Sequence, residues 1–406
     1  MCIRDRDIIL PYIKDQDDSL ELMSEALKNH LSNKDYIYQL PWYMVLGSDE
    51  AGKTSFINRS NQKFTLTAVE RTSKRYMREN SLYQIDWWAS DDAILLDPEG
   101  GMIQQLGTER DPDGKIAKGL WSHLLDWIND VRPQRPINGI ILVVDLPKLI
   151  ASNHSDRQAL AVILRNRIRE VTEQFGARIP VYVVLNKADL IEGFETFYSD
   201  LKQAERHKNL GFSFTLNTDE QIDNWTKELS DSYTAFVKEI EEIIFDKLAG
   251  TISQEERESL YMYARQLSGM QNILLQFISD ILESDRFTTT PYVRGVYFSS
   301  IFQEGIPMDF YQAAISKQFD LPHVVPSYLP ERSQRTYFTY NFFQNIIYPE
   351  AGLVSDNEKE IRRSKRKFIL GAVAVAVCGI CVLATWQNYF YQNTVSYTHL
   401  TLPTNS

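Results

Sequence analysis

Cysteine is nearly absent. The 406-residue chain has three, Cys2, Cys378 and Cys381, and none lies between Ile3 and Val377. That excludes a disulfide framework and fits a reducing compartment. The pair Cys378 and Cys381 sits inside an apolar run, where small packing residues are a better reading than a redox or metal site. Positive charge is also in deficit. The formal net charge is −11, so general nucleic-acid affinity is not expected and no nucleic acid is assigned as partner. Uncharged stretches of membrane length are scarce as well. The one from Phe368 to Trp386 lies too far along the chain to be a cleaved signal peptide. What is present, 43% hydrophobic residues, is ample for a core and suggests more than one domain.

The chain is organised around Gly47-Ser48-Asp49-Glu50-Ala51-Gly52-Lys53-Thr54. An apolar run, Trp42 to Leu46, leads in, and Ser55-Phe56-Ile57 leads away. Strand, loop and helix start spell G-x-x-x-x-G-K-[ST], a P-loop. The N–H groups of such a loop, with Gly47, Gly52 and Ser55 framing it, turn toward phosphates, and the helix N-terminus adds partial positive charge. Lys53 is expected to reach the β- and γ-phosphates, and Thr54 to ligate Mg²⁺.

Two later stretches define the kind of P-loop protein. Ala93 to Gly100 is a short apolar strand ending in D-x-x-G. Asp97 at its end is expected in the Mg²⁺ shell, and Gly100 can offer its N–H to a γ-phosphate because it lacks a Cβ. Glu99 either orients a water or repels that phosphate. The catalytic candidates are thus Lys53, Asp97 and Glu99. Val181 to Asp189 is a second buried-type strand ending in N-K-x-D. In GTPases, which this tetrad resembles, Asp189 would accept from guanine N1 and N2, Asn186 would touch the purine edge, and Lys187 would lie along the ring. The expected cofactor is Mg²⁺ with GTP or ATP.

Taken in order, residues 7–40 read as a helical lead-in, with Leu20, Met23, Leu27 and Leu31 at helical spacing. Residues 41–194 read as the nucleotide-binding domain. A second strand is expected around Leu82 to Ile85, with Asp86-Trp87-Trp88 after it and the tryptophans buried beneath the sheet. Thr65, Thr67 and Thr72 are candidates for a switch threonine. A helix over 115–130 carries Leu120, Leu124 and Ile128 inward, and His123 is read as solvated or capping. A helix over 156–175 turns Leu160, Leu164 and Ile168 inward, with its arginines on a solvated face. Alternating strands and helices predict an α/β doubly wound parallel sheet with ligands at the strands' C-terminal ends. Residues 195–290 read as a helical insertion or bundle, and 291–360 as the last strand and a C-terminal subdomain, with Ser299 or Ser300 near the base. Residues 368–386 form a 19-residue uncharged run, long enough to cross a bilayer. The basic cluster Arg362 to Lys367 puts residues 7–367 in the cytoplasm by the positive-inside rule. Trp386, Tyr389, Phe390 and Tyr391 suit an interfacial aromatic belt. Residues 1–6 and 395–406 resemble translated sequencing adapter and are set aside, which suggests a piece of a longer protein.

Several stretches form a particular set: Pro41-Trp42-Tyr43, Asp86-Trp87-Trp88, Arg135-Pro136-Ile137-Asn138-Gly139, Gly193-Phe194, Arg294 to Ser300 with Gln303-Glu304-Gly305, and Tyr348 to Leu353. Together, over roughly residues 10–390, they resemble the cytoplasmic region of the TssM/IcmF family, the inner-membrane core subunit of type VI secretion systems. The resemblance implies a P-loop GTPase-like fold with helical additions followed by one transmembrane helix. It also implies a bacterial inner-membrane location, self-association in a membrane complex, and TssL and TssJ as partners. The alternatives are a nucleotide-independent scaffold or an IcmF subunit of a type IVB system. Three departures stand out. Asp49 and Glu50 replace a proline and a glycine of the family's G-P-P-G-x-G-K-[ST] loop, and Gly101 follows D-x-x-G where GTPases often hold a water-orienting side chain. They bear on hydrolysis more than on binding.

Overall fold

The computed structural model describes residues 3–31, 36–64, 84–105, 112–215, 225–250, 253–282, 291–301 and 336–399. The switch candidates Thr65, Thr67 and Thr72 lie outside them. Residues 1–355 form one compact unit and 356–406 a second.

Seven strands build the sheet of the first unit: β1 Trp42–Leu46, β2 Ile85–Ala89, β3 Ile94–Pro98, β4 Gly139–Asp145, β5 Pro180–Asn186, β6 Leu210–Ser213 and β7 Tyr292–Phe298. Their order is β2-β3-β1-β4-β5-β7-β6. The five inner strands run parallel, as the continuous apolar runs predict for strands covered on both faces. The two edges correct that expectation, because β2 and β6 are antiparallel to their neighbours. Asp86-Trp87-Trp88 does not follow the second strand but lies within it, with Asp86 opposite Asp97. Both tryptophans are buried, as expected. The stretch 195–290 is not wholly helical either, since it contributes β6.

Side-chain alternation splits the core into two layers. Trp42, Met44 and Leu46 of β1 share one apolar cluster with Ile140, Leu142 and Val144 of β4. Tyr43 and Val45 share the other with Ile141 and Val143. Long helices contribute to the first layer, among them α1 Ile3–Leu31, Pro112–Val131, His154–Phe175, Trp225–Leu248 and Gln254–Leu282. In α1, Leu20, Met23 and Leu27 are buried. His123, from the 112–131 helix, meets α1 at Gln16 (2.7 Å) and Asp17 (3.0 Å), so it joins two helices rather than facing water. Arg167 likewise departs from the solvated face assigned to its helix. It is buried over Trp121 and paired with Glu170 at 2.8 Å. The second layer is closed by Phe56 and Ile57 of the helix Lys53–Asn58 and by the π-helical turn Phe342–Ile347.

A buried polar triad fastens the C-terminal segment of this unit to the sheet. Arg294 of β7 donates to both oxygens of Glu350, at 2.5 and 2.8 Å, and to the Phe214 carbonyl at 2.8 Å. The Tyr182 hydroxyl donates to Glu350 at 2.8 Å. A guanidinium that is 3% exposed depends on this carboxylate, because an unpaired buried charge is strongly unfavourable.

The second unit carries the helix Glu358–His399. Its segment Ile361–Tyr391 is long and apolar enough by length and composition to cross a membrane, and none of it is buried. Cys378 and Cys381 are free thiols on it.

Glu350→Ala is expected to destabilise the first unit by about 3 kcal/mol by orphaning Arg294. Glu350→Gln keeps an acceptor and should cost less. Urea unfolding midpoints of the detergent-solubilised chain measure both.

Candidate nucleotide site

All three sequence motifs fall at one end of the sheet, where β1, β3 and β5 finish. The loop after β1 starts at buried Gly47, which lies beside the Val143 carbonyl of β4. Gly52 has φ 82, a left-handed conformation that a side chain would oppose. It precedes Lys53 at the first position of the short helix Lys53–Asn58. Glu50 also takes a left-handed φ of 63, which is unusual for a residue with a Cβ. Ser55 is exposed in the first turn of that helix.

β3 presents Asp97 to this helix. The Thr54 hydroxyl donates to Asp97 Oδ2 at 2.7 Å, and Lys53 Nζ lies 3.6 Å from Oδ1. Asp97 is 3% exposed and Lys53 7%. Burial lifts the Asp97 carboxyl from its ordinary 3.8 to about 6, with Lys53 and the Thr54 hydrogen bond opposing and Asp86 and Glu99 adding. Glu99 is also raised, first by desolvation, with Lys53 opposing and Asp49 and Asp86 adding. Glu99 stands at the N-cap of the helix Gly100–Gln104, and buried Gly100 opens that helix against the P-loop tip at Asp49.

The tetrad after β5 reaches the same loop from the other side. Asn186, fully buried, donates through Nδ2 to the Ala51 carbonyl at 2.9 Å. Lys187 donates to the Glu50 carbonyl and to Asp145 Oδ2, both at 2.6 Å. Its own φ is 64. Asp189, 5% exposed, sits in the turn Ala188–Leu190. Ser299 at the end of β7 donates to Asn186 Oδ1 at 3.0 Å, and its carbonyl accepts from the Ala188 N–H at 3.1 Å. Of the two serines considered near the base, Ser299 touches the tetrad, whereas Ser300 pairs with Tyr337 through the backbone.

Asp145 was not among the sequence candidates. It ends β4, the strand between the P-loop strand and the tetrad strand, and caps the helix Leu146–Ala151 by accepting from the Lys148 N–H at 2.9 Å. Its position at the end of a buried apolar strand is the signal that could have found it. Among the described residues no cluster of three His, Cys, Asp or Glu is placed to hold a metal. The donors at hand are a hydroxyl and one carboxylate, Thr54 and Asp97. That set fits a hard cation that completes its shell with phosphate and water.

The raised Asp97 carboxyl has a consequence for stability. The folded state keeps this proton to a higher pH than the unfolded chain does. Its contribution is therefore most favourable below about pH 4 and is lost as pH rises through about 6. Asp97→Asn is expected to flatten the fall in unfolding free energy between pH 4 and 7 by on the order of 2 kcal/mol. Denaturant titrations across that range, on both chains, measure it.

A profile of the IcmF-related N-terminal domain matches residues 115–376. The chain is also similar to the type VI secretion system component TssM1 of Pseudomonas aeruginosa, at 29% identity over 372 residues, 91% of this chain and 33% of that protein. It thus spans about a third of the length of the curated relative it matches. With well over half of its residues inside the profile, and the Asn186 tetrad, Arg294 and Glu350 among them, the chain belongs to the TssM/IcmF family.

Proposed function

We propose that the chain is an assembly component of a type VI secretion system, seated in the bacterial inner membrane, whose α/β unit binds a guanine nucleotide with Mg²⁺. The observation that carries the nucleotide reading is the convergence on one loop. Thr54 and Lys53 meet Asp97 on one side, and Asn186 and Lys187 hold the loop's carbonyls on the other. Thr54 and Asp97 would hold the ion. When bound, Mg²⁺ would neutralise charge on the phosphate oxygens. Lys53 and the loop N–H groups, with Gly47, Gly52 and Ser55 shaping the cradle, would bind the phosphates. Asp189 would accept from guanine N1 and N2, with Lys187 along the ring. Binding is better supported than turnover, because Gly101 brings no side chain to orient a water.

The similarity to a type VI secretion system component of Pseudomonas aeruginosa supports the assembly role. Family membership supports self-association and TssL and TssJ as partners. The basic run Arg362 to Lys367 before an unburied apolar helix supports a cytoplasmic residues 7–367. A second reading, a scaffold indifferent to nucleotide, is favoured by the pairing of Lys53 and Lys187 with carboxylates of the chain itself.

Lys53→Ala is expected to weaken GTP and ATP alike by tenfold or more, and Asp189→Asn to erode the preference for GTP. With adenine the buried carboxylate of Asp189 loses its donors, a difference on the order of 1–3 kcal/mol. Competition calorimetry at equal Mg²⁺ reads the ratio, and equal or tighter ATP binding would sink guanine specificity. For orientation, a cysteine at position 360 in an otherwise cysteine-free chain should react with impermeant maleimide only after the cells are opened. Labelling of intact spheroplasts would reverse the topology.

A further inference from the structure

The tip of the P-loop rests directly on the D-x-x-G turn. A methyl group built on Gly100 would stand 2.5 Å from the Asp49 nitrogen and 2.7 Å from its Cα, and would overlap the Asp49 carboxylate. Two backbones are thus in contact across the gap that a terminal phosphate would occupy, between the loop's N–H groups and that of Gly100. The loop is also held in this position. Lys187 binds the Glu50 carbonyl and Asn186 the Ala51 carbonyl, immediately after Asp49.

The same contact concentrates negative charge. Asp49 is near enough to repel the Glu99 carboxylate, and Asp86 lies opposite Asp97 across β2 and β3. Lys53 is the cation that opposes both Asp97 and Glu99. A third phosphate would bring further negative charge to this end and would have to displace the Asp49 carboxylate. A diphosphate ends one phosphate earlier, at Lys53 and the loop N–H groups, and leaves the contact between Asp49 and Gly100 in place.

We propose that Asp49 makes this site select a nucleoside diphosphate over the corresponding triphosphate. The proposal rests on the nucleotide-binding reading above and adds the class of nucleotide that the site retains. Asp49 acts as a built-in occupant of the terminal-phosphate position, both by volume and by charge.

The test measures affinities of the full chain in detergent, with Mg²⁺, for GDP and for the non-hydrolysable guanosine 5′-(β,γ-imido)triphosphate. Wild type is expected to bind GDP at least tenfold more tightly. Asp49→Gly, which removes volume and charge, should lower that ratio at least fivefold. Asp49→Asn, which keeps the volume and is the closer structural match, should lower it at least twofold. A smaller wild-type ratio, or smaller changes in the variants, overturns the proposal. If both nucleotides bind with similar affinity and Lys53→Ala weakens both, the selectivity fails while the nucleotide site stands. If neither binds to wild type or to the Asp49 variants, the nucleotide reading fails and takes the selectivity with it.

Discussion

A carboxylate removed from water must be compensated where it stands, and Asp97 is the place where this chain meets that requirement. At 3% exposure it has the Thr54 hydroxyl and the Lys53 ammonium as its close partners. Both come from the first turn of the helix that follows the P-loop. The loop therefore cannot shift far without leaving Asp97 uncompensated, and β3 cannot slip against β1 without the same result. Registration of the two strands, Trp42 opposite Ile94 through Met44 opposite Leu96, and the polar contacts at their ends thus reinforce each other. Fold and site share one constraint here, and changes at Asp97 act on both.

The opposite flank of the loop is fixed by a chain of polar contacts that crosses three strands. Ser299 on β7 holds Asn186 on β5, Asn186 holds Ala51, and Lys187 links Glu50 to Asp145 on β4. A base held at Asp189 and phosphates held at Lys53 would therefore sense one another through a single short loop. Glu50, with its left-handed φ, lies at the centre of this chain, which is what overcomes the backbone preference against that conformation.

Much of this arrangement was legible in the sequence, for local reasons. Continuous apolar runs located β1, β3, β4 and β5 to within a residue or two, because burial on both faces leaves a contiguous signal. The motifs anticipated that Lys53, Thr54, Asp97 and Asn186 lie at one end of the sheet, because each follows or ends an apolar run. The antiparallel edges were not legible. β2 carries Asp86-Trp87-Trp88, which was expected to follow a strand around Leu82 to Ile85 rather than to form it, and β6 is four residues long. Asp145, Arg167 and the Arg294–Glu350 pair were also missed as structural elements. Asp145 and Arg294 depend on partners many residues away, Lys187 and Glu350, and Arg167, though paired locally with Glu170, lies over Trp121 of another helix; no local period records such contacts.

The helix Glu358–His399 differs from the first unit in what it leaves exposed. In the first unit the large apolar side chains are mostly buried, whereas Phe368, Leu370, Val375, Ile380, Leu383 and Trp386 are all more than 60% exposed. Leaving such side chains in water forfeits about 1.5–3 kcal/mol each, so the surface requires hydrocarbon or protein around it. The distribution of charge is what supports the proposed seating in a membrane. From Phe368 to Trp386 there is no charged residue, a rise of about 28 Å at 1.5 Å per residue, close to the roughly 30 Å core of a bilayer. A helix packed only against protein has no need for its charges to be cleared over that particular length, nor for five basic residues at one end and Trp386, Tyr389 and Tyr391 at the other.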